Sequence, residues 1–110
     1  DAKALFKAIS IVTAHEYLRG VYYLYMHHSE LLKSKLEKAE GELARFEILP
    51  YTYEIAKLAA EIDATLALDA ESISLSDVII AATTLQYKLT LITRNVTHFK
   101  RIPRLNIETY

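Results

Sequence analysis

Residues 73–102 read ISLSDVIIAATTLQYKLTLITRNVTHFKRI, and their reading decides the fold. Ser74 is a good N-cap, and Asp77 follows three residues later, in the first helical turn. Val78, Ile79, Ile80, Ala81, Ala82 and Leu85 then make a helix apolar nearly all round, which belongs inside a protein. Leu89 to Thr93 is a run of leucine, isoleucine and threonine that suits a pleated strand. Arg94-Asn95 ends it, and Asn95 caps a further short turn with His98 three residues on. A buried helix feeding a buried strand is half of a βαβ unit. In such folds the chemistry collects where strands end and helices begin, the edge at which Asp77 and Asn95 are expected.

The length of 110 residues suits one domain with one core, taken as residues 1–110. No apolar run approaches the roughly 20 residues of a membrane span, and Ile9–Val12 is too short for a secretory signal. With no cysteine there are no disulfides and no cysteine zinc sites, which fits a reducing, cytoplasmic setting. A net charge of −1 means that nucleic acid must be met by a local patch, not by the whole surface.

Working outward, residues 1–8 read as the end of a helix and Ile9–Thr13 as a strand. Thr13 and Glu16 fit a capping box that opens a helix through Tyr17 and on to Met26, with Gly20 marking a bend or a close approach. Ser29 is expected to cap a second helix, whose Leu32, Leu36, Ala39, Leu43 and Phe46 form an apolar seam, so that the two helices make a hairpin. Phe46–Leu49 is a short strand. Thr52 caps a helix built on Ile55, Leu58, Ala59, Ile62 and Leu66. Pro103 stops the last helix, and Leu105–Glu108 is an edge strand. Strands separated by helices imply an α/β/α sandwich with a parallel sheet, the alternative being an all-helical bundle.

Three places share one design, a cap followed three residues later by a polar group: Thr13/Glu16, Ser74/Asp77 and Asn95/His98. If these converge at one sheet edge, Glu16 and Asp77 form the carboxylate pair that a hard divalent cation takes. The plainer reading is that an acid at the third helical position serves the cap and the helix dipole, worth about 0.3–1 kcal/mol. His15, His27 and His28 lack zinc-ligand spacing. Arg94, Lys100, Arg101 and Arg104 form an acid-free basic stretch suited to a phosphate backbone, or else an ordinary solvated face. Tyr22, Tyr25, Leu32 and Leu36 lie on helices with more apolar surface than so small a domain covers, so a homodimer is expected there.

Ser76-Asp77-Val78-Ile79-Ile80-Ala81-Ala82, followed by Leu91-Ile92-Thr93-Arg94-Asn95-Val96-Thr97-His98-Phe99, resembles the PIN domain in its VapC-type toxin branch. The resemblance extends to Ile9–Thr13 with Glu16–Val21 and to Phe46–Pro50. It implies an endoribonuclease using Mg²⁺ or Mn²⁺ held by acids, a VapB-type antitoxin as partner, and RNA as substrate. Carried over, Glu16 and Asp77 match two metal-binding acids and Asn95 a catalytic polar position, with Thr13, Thr93 and Ser76 in support. The family's first, central strand and its Asp have no counterpart: only fifteen residues precede Glu16, and Asp1 cannot play that part. The chain is therefore expected to be N-terminally incomplete. His98 stands where many members carry Asp, so two of the usual three or four acids remain, and such a chain by itself is expected to be inactive or only a piece of an active parent. The competing class is a non-catalytic PIN-like module that binds RNA or protein.

Overall fold

The computed structural model describes residues 7–110, in the order β1 (Ala8–Ser10), α1 (Ile11–Tyr25), α2 (Ser29–Leu43), β2 (Glu47–Leu49), α3 (Tyr53–Leu68), α4 (Leu75–Gln86), β3 (Thr90–Ile92), α5 (Val96–Phe99) and β4 (Asn106–Glu108). The helix expected over residues 1–8 lies largely outside the described residues, and Ala8 itself begins a strand. The chain divides into two compact units, the first ending at Pro50 and the second spanning Tyr51–Tyr110. Each contains one pair of parallel strands, β1 with β2 and β3 with β4.

In the first unit β1 runs beside β2 with Ile9 opposite Ile48 and Ser10 opposite Leu49. The α1–α2 hairpin makes the crossover that a parallel pair requires. Ala14, Ala39, Leu43 and Leu49 are buried, so the seam expected on α2 is real in its second half, whereas Phe46 lies beyond the helix and is exposed. The Tyr17 hydroxyl donates to Glu42 Oε1, and the Lys35 ammonium lies 5.6 Å from the Tyr25 ring centroid, so both contacts tie α1 to α2.

Four expectations need correction. The strand stops at Ser10, and Ser10, not Thr13, caps α1: its hydroxyl accepts from the Val12 N–H at 3.0 Å. Thr13 and Glu16 are therefore inside the helix, Glu16 in its second turn and exposed, and they form no capping box. Ser29 is the first residue of α2, and its N-cap His28 makes no side-chain cap. Gly20 marks no close approach, because a Cβ there would meet nothing within 4 Å.

The second unit holds the main core. Ile55, Ala59, Ile62 and Leu66 of α3 face Val78, Ala81 and Ala82 of α4, with Phe99 and Ile102 closing the cluster and Leu91 and Ile107 of the strands packed on it. Ile55 and Val78 are fully buried, each contributing about 1.5–3 kcal/mol. Small side chains at Ala81 and Ala82 let α4 approach α3 closely. Thr83 and Thr84 tolerate burial because their hydroxyls donate back to the Ile79 and Ile80 carbonyls, at 2.7 and 2.8 Å. Thr52 and Ser74 cap α3 and α4 as their positions predict, accepting from Ile55 N and Asp77 N, each at 3.2 Å.

Both helices end in the same way. Ala70 and Lys88 take left-handed backbones, with φ of 56° and 55°. Glu71 N donates to Leu66 O and Ala70 N to Ala67 O, at 2.8 and 3.0 Å. Leu89 N donates to Thr84 O and Lys88 N to Leu85 O, at 3.0 and 3.1 Å. Each pair of bonds is a Schellman motif, with alanine or lysine where glycine is usual. The second one turns the chain from α4 straight into β3.

Candidate functional site

Because β3 doubles back along α4, the first turn of α4 comes to lie at the end where β3 stops. The Ser74 cap holds Asp77 as the third helical residue, with half-buried Ser76 beside it in the same turn. Past β3 the Thr93 N–H bonds Glu108 O at 3.0 Å, and the Thr93 hydroxyl accepts from Asn95 N at 2.9 Å. This bend starts α5, where Asn95 O accepts from His98 N at 3.2 Å. Phe99 is buried in the core and anchors α5, which leaves the His98 ring half exposed on the outside.

His98 Nδ1 then meets two partners. Asn95 Nδ2 is 2.8 Å away, and Asp77 Oδ2 is 3.4 Å away. The side chain of Asp77 is 23% exposed and that of His98 48%, so the cluster is open to water and to a ligand. Its proton arrangement is coupled. When the Asn95 amide donates to Nδ1, that nitrogen carries no proton and cannot donate to Asp77. When the amide is turned to present its oxygen, an Nδ1–H serves Asn95 and Asp77 together.

The sequence-predicted residues Asp77, Thr93 and Asn95 are thus brought together in one unit, and His98 joins them. Asn95 caps α5 by position, but its side chain reaches the imidazole and not a backbone N–H. Glu16 and Thr13 belong to the other unit, on α1. Of the basic residues, Arg94, Lys100 and Arg104 are exposed. The Arg94 guanidinium lies 4.8 Å from the Tyr110 ring centroid. Arg101 is half-buried and holds Glu71, through the carbonyl at 3.4 Å and the carboxylate at 4.0 Å.

Among the described residues, no three His, Cys, Asp or Glu side chains gather closely enough to hold a metal ion. What the second unit offers is one carboxylate, one imidazole nitrogen and one amide oxygen around an open space. That donor set does not suit a closed structural ion. It does fit a divalent ion that keeps several waters and takes one or two carboxylates plus phosphate oxygens. His98 is the member of this cluster that sequence reasoning left out of the site. Its spacing from Asn95 was visible, but its meeting with Asp77, 21 residues away, depends on α4 lying back along β3.

The PIN domain family model matches residues 2–105. Among solved structures, a chain of VapBC2 from Rickettsia felis bound to a DNA fragment from their promoter is 30% identical, with a TM-score of 0.82, over 99% of this chain and 78% of that chain. A chain of DNA-bound VapBC from Salmonella typhimurium is 29% identical, with a TM-score of 0.81, over 93% of this chain and 74% of that one. A toxin–antitoxin complex from Klebsiella pneumoniae has a chain 27% identical, with a TM-score of 0.72, over 98% and 77%. Among curated proteins none matches. Likeness at this level across nearly the whole chain establishes the α/β fold expected from the sequence. Among the described residues no helix is long and apolar enough to cross a membrane.

Proposed function

The chain belongs to the PIN domain family, and from that premise we propose that it is the toxin of a VapBC-type pair, an endoribonuclease dependent on Mg²⁺ or Mn²⁺. The observation that carries this reading is the cluster of Asp77, Asn95 and His98 at the end of β3, in a fold shared with chains of VapBC complexes. Asp77 and Glu16 are the residues proposed to hold the ion. The ion, when bound, would polarise the phosphodiester and ready a water for attack.

The remaining roles fall to the protein's own groups. Thr93 fixes the bend that presents Asn95, and Asn95 orients the imidazole of His98. Thr13 and Ser76 sit one turn or less from the two acids. Lys100, Arg104 and Arg94 offer exposed charge to the RNA backbone, whereas Arg101, already holding Glu71, contributes through the fold and the local field. The protein would act in the cytoplasm, held in check by a VapB-type antitoxin, as the neighbouring structures are VapBC complexes.

A homodimer through the α1–α2 hairpin belongs to the same proposal. Tyr22 is 42% exposed, and Tyr23, Leu24, Met26 and Leu31 are exposed around it. His15, Leu18, Arg19 and Tyr22 line an open recess of about 410 Å³ on α1. Tyr25, Leu32 and Leu36 are half-buried along the hairpin.

One observation favours a second reading, a non-catalytic module that binds RNA or protein: among the described residues the polar cluster contains a single carboxylate. Cleavage of single-stranded RNA by the purified protein, dependent on added Mn²⁺ or Mg²⁺ and stopped by chelator, separates the two. Retained RNA or partner binding without such cleavage would favour the module.

A further inference from the structure

Resting on that reading, we infer that His98 Nδ1 is itself a ligand of the ion, and that it turns the site toward the later first-row transition ions over Mg²⁺. Three relationships support this. The ring is already placed: Phe99 is locked in the core one residue on, while His98 stays half exposed with Nδ1 facing Asp77 Oδ2 at 3.4 Å. That separation is close to the bite of a shared ion. Two donors at right angles on Mg²⁺ stand about 2.9 Å apart. Two donors at a tetrahedral angle on Zn²⁺ stand about 3.3 Å apart. The observed spacing is nearer the wider value.

Asn95 supplies the third relationship. Its amide is 2.8 Å from the same ring nitrogen. Once the Nδ1 lone pair is given to an ion, the amide N–H₂ loses its acceptor. A half-turn of the amide then presents its oxygen as a further donor. Selectivity follows from the nitrogen. Carboxylates, carbonyls and water suit Mg²⁺ and Mn²⁺, whereas imidazole suits the later first-row ions from Fe²⁺ to Zn²⁺, which sit higher in the affinity order. An Asp in place of His98 would leave an oxygen-only site without that preference. The plain alternative is that His98 and Asp77 form an exposed ion pair of little consequence.

The test is ion binding, read without catalysis. The full chain is titrated with Co²⁺ and with Mg²⁺ by calorimetry, alongside His98→Asp, His98→Gln and Asp77→Asn. Paramagnetic perturbation by Co²⁺ of the His98 ring resonances, assigned by their loss in His98→Gln, reports ligation directly, and circular dichroism confirms that each variant folds. The expected result is Co²⁺ bound at least about tenfold more tightly than Mg²⁺, with His98→Asp narrowing the ratio by about tenfold and His98→Gln weakening Co²⁺. If the ratio is unchanged in both His98 variants while Asp77→Asn abolishes binding, His98 is no ligand and the inference falls, with the ribonuclease reading intact. If the unaltered chain binds neither ion at about 1 mM, both fall together.

Discussion

The Nδ1 atom of His98 stands between the Asn95 amide, at 2.8 Å, and the Asp77 carboxylate, at 3.4 Å. One ring nitrogen therefore links the bend after β3 to the first turn of α4. Asn95→Ala removes the link on the strand side. Because the cluster is exposed, the loss of stability should stay below about 1 kcal/mol. RNA cleavage should fall by about tenfold or more, since the imidazole loses its orienting partner. Chemical denaturation and a cleavage assay on one preparation separate these effects. A large loss of stability with cleavage unchanged would make Asn95 a structural residue only.

The start of α1 gives a second prediction. Ser10 is buried, and its hydroxyl holds the Val12 N–H. Ser10→Ala should cost about 1 kcal/mol. Thr13→Ala should cost less than about 0.5 kcal/mol, because Thr13 is inside the helix and caps nothing. Urea denaturation of both variants decides the matter, and the reverse order would restore Thr13 as the cap.

This region also shows what the sequence could and could not tell. Thr52 and Ser74 were legible as caps because each precedes a long periodic helix, and their acceptor bonds are as expected. At Ile9–Thr13 the β-branched run favours a strand, and the Thr13/Glu16 pattern points to a cap at Thr13. The chain turns helical three residues earlier, after three strand residues, because Ser10 closes on Val12. Half of the site was legible as two local pairs, Ser74/Asp77 and Asn95/His98. The edge shared by Asp77 and Asn95 was legible too, but the meeting of His98 with Asp77 was not, because it depends on the α4–β3 turn at Lys88, a left-handed position that glycine would have announced.

That turn, and its counterpart at Ala70, should be improvable. A left-handed backbone costs a non-glycine residue about 1–2 kcal/mol. Glycine recovers this, less about 0.5–1 kcal/mol of added freedom in the unfolded chain. Ala70→Gly and Lys88→Gly should each stabilise by about 0.5–1 kcal/mol, read as a higher denaturation midpoint with unchanged slope. Destabilisation by either would mean that the backbone there is not left-handed.

The Tyr17–Glu42 contact predicts a pH dependence. The hydrogen bond to Glu42, then desolvation and the Glu42 charge, raise the Tyr17 hydroxyl above its ordinary value. On unfolding Tyr17 returns to about 10. Below that pH both states keep the proton, and the contact contributes fully. Above it the unfolded chain loses the proton first, so the contribution declines as pH rises through the folded value. Subtracting the Tyr17→Phe phenolate titration from that of the unaltered protein should isolate one late-titrating tyrosine. A difference curve centred at or below 10 would contradict the contact.

The ribonuclease proposal names Glu16 and Asp77 as metal-binding acids. Its most direct measurement is cleavage of single-stranded RNA with Mn²⁺ by the unaltered protein, Glu16→Gln and Asp77→Asn, each first shown to be folded. The expected result is chelator-sensitive cleavage by the unaltered protein and a loss of about a hundredfold or more in each variant. Cleavage undiminished in both would contradict the claim and leave the two acids as surface groups on α1 and α4.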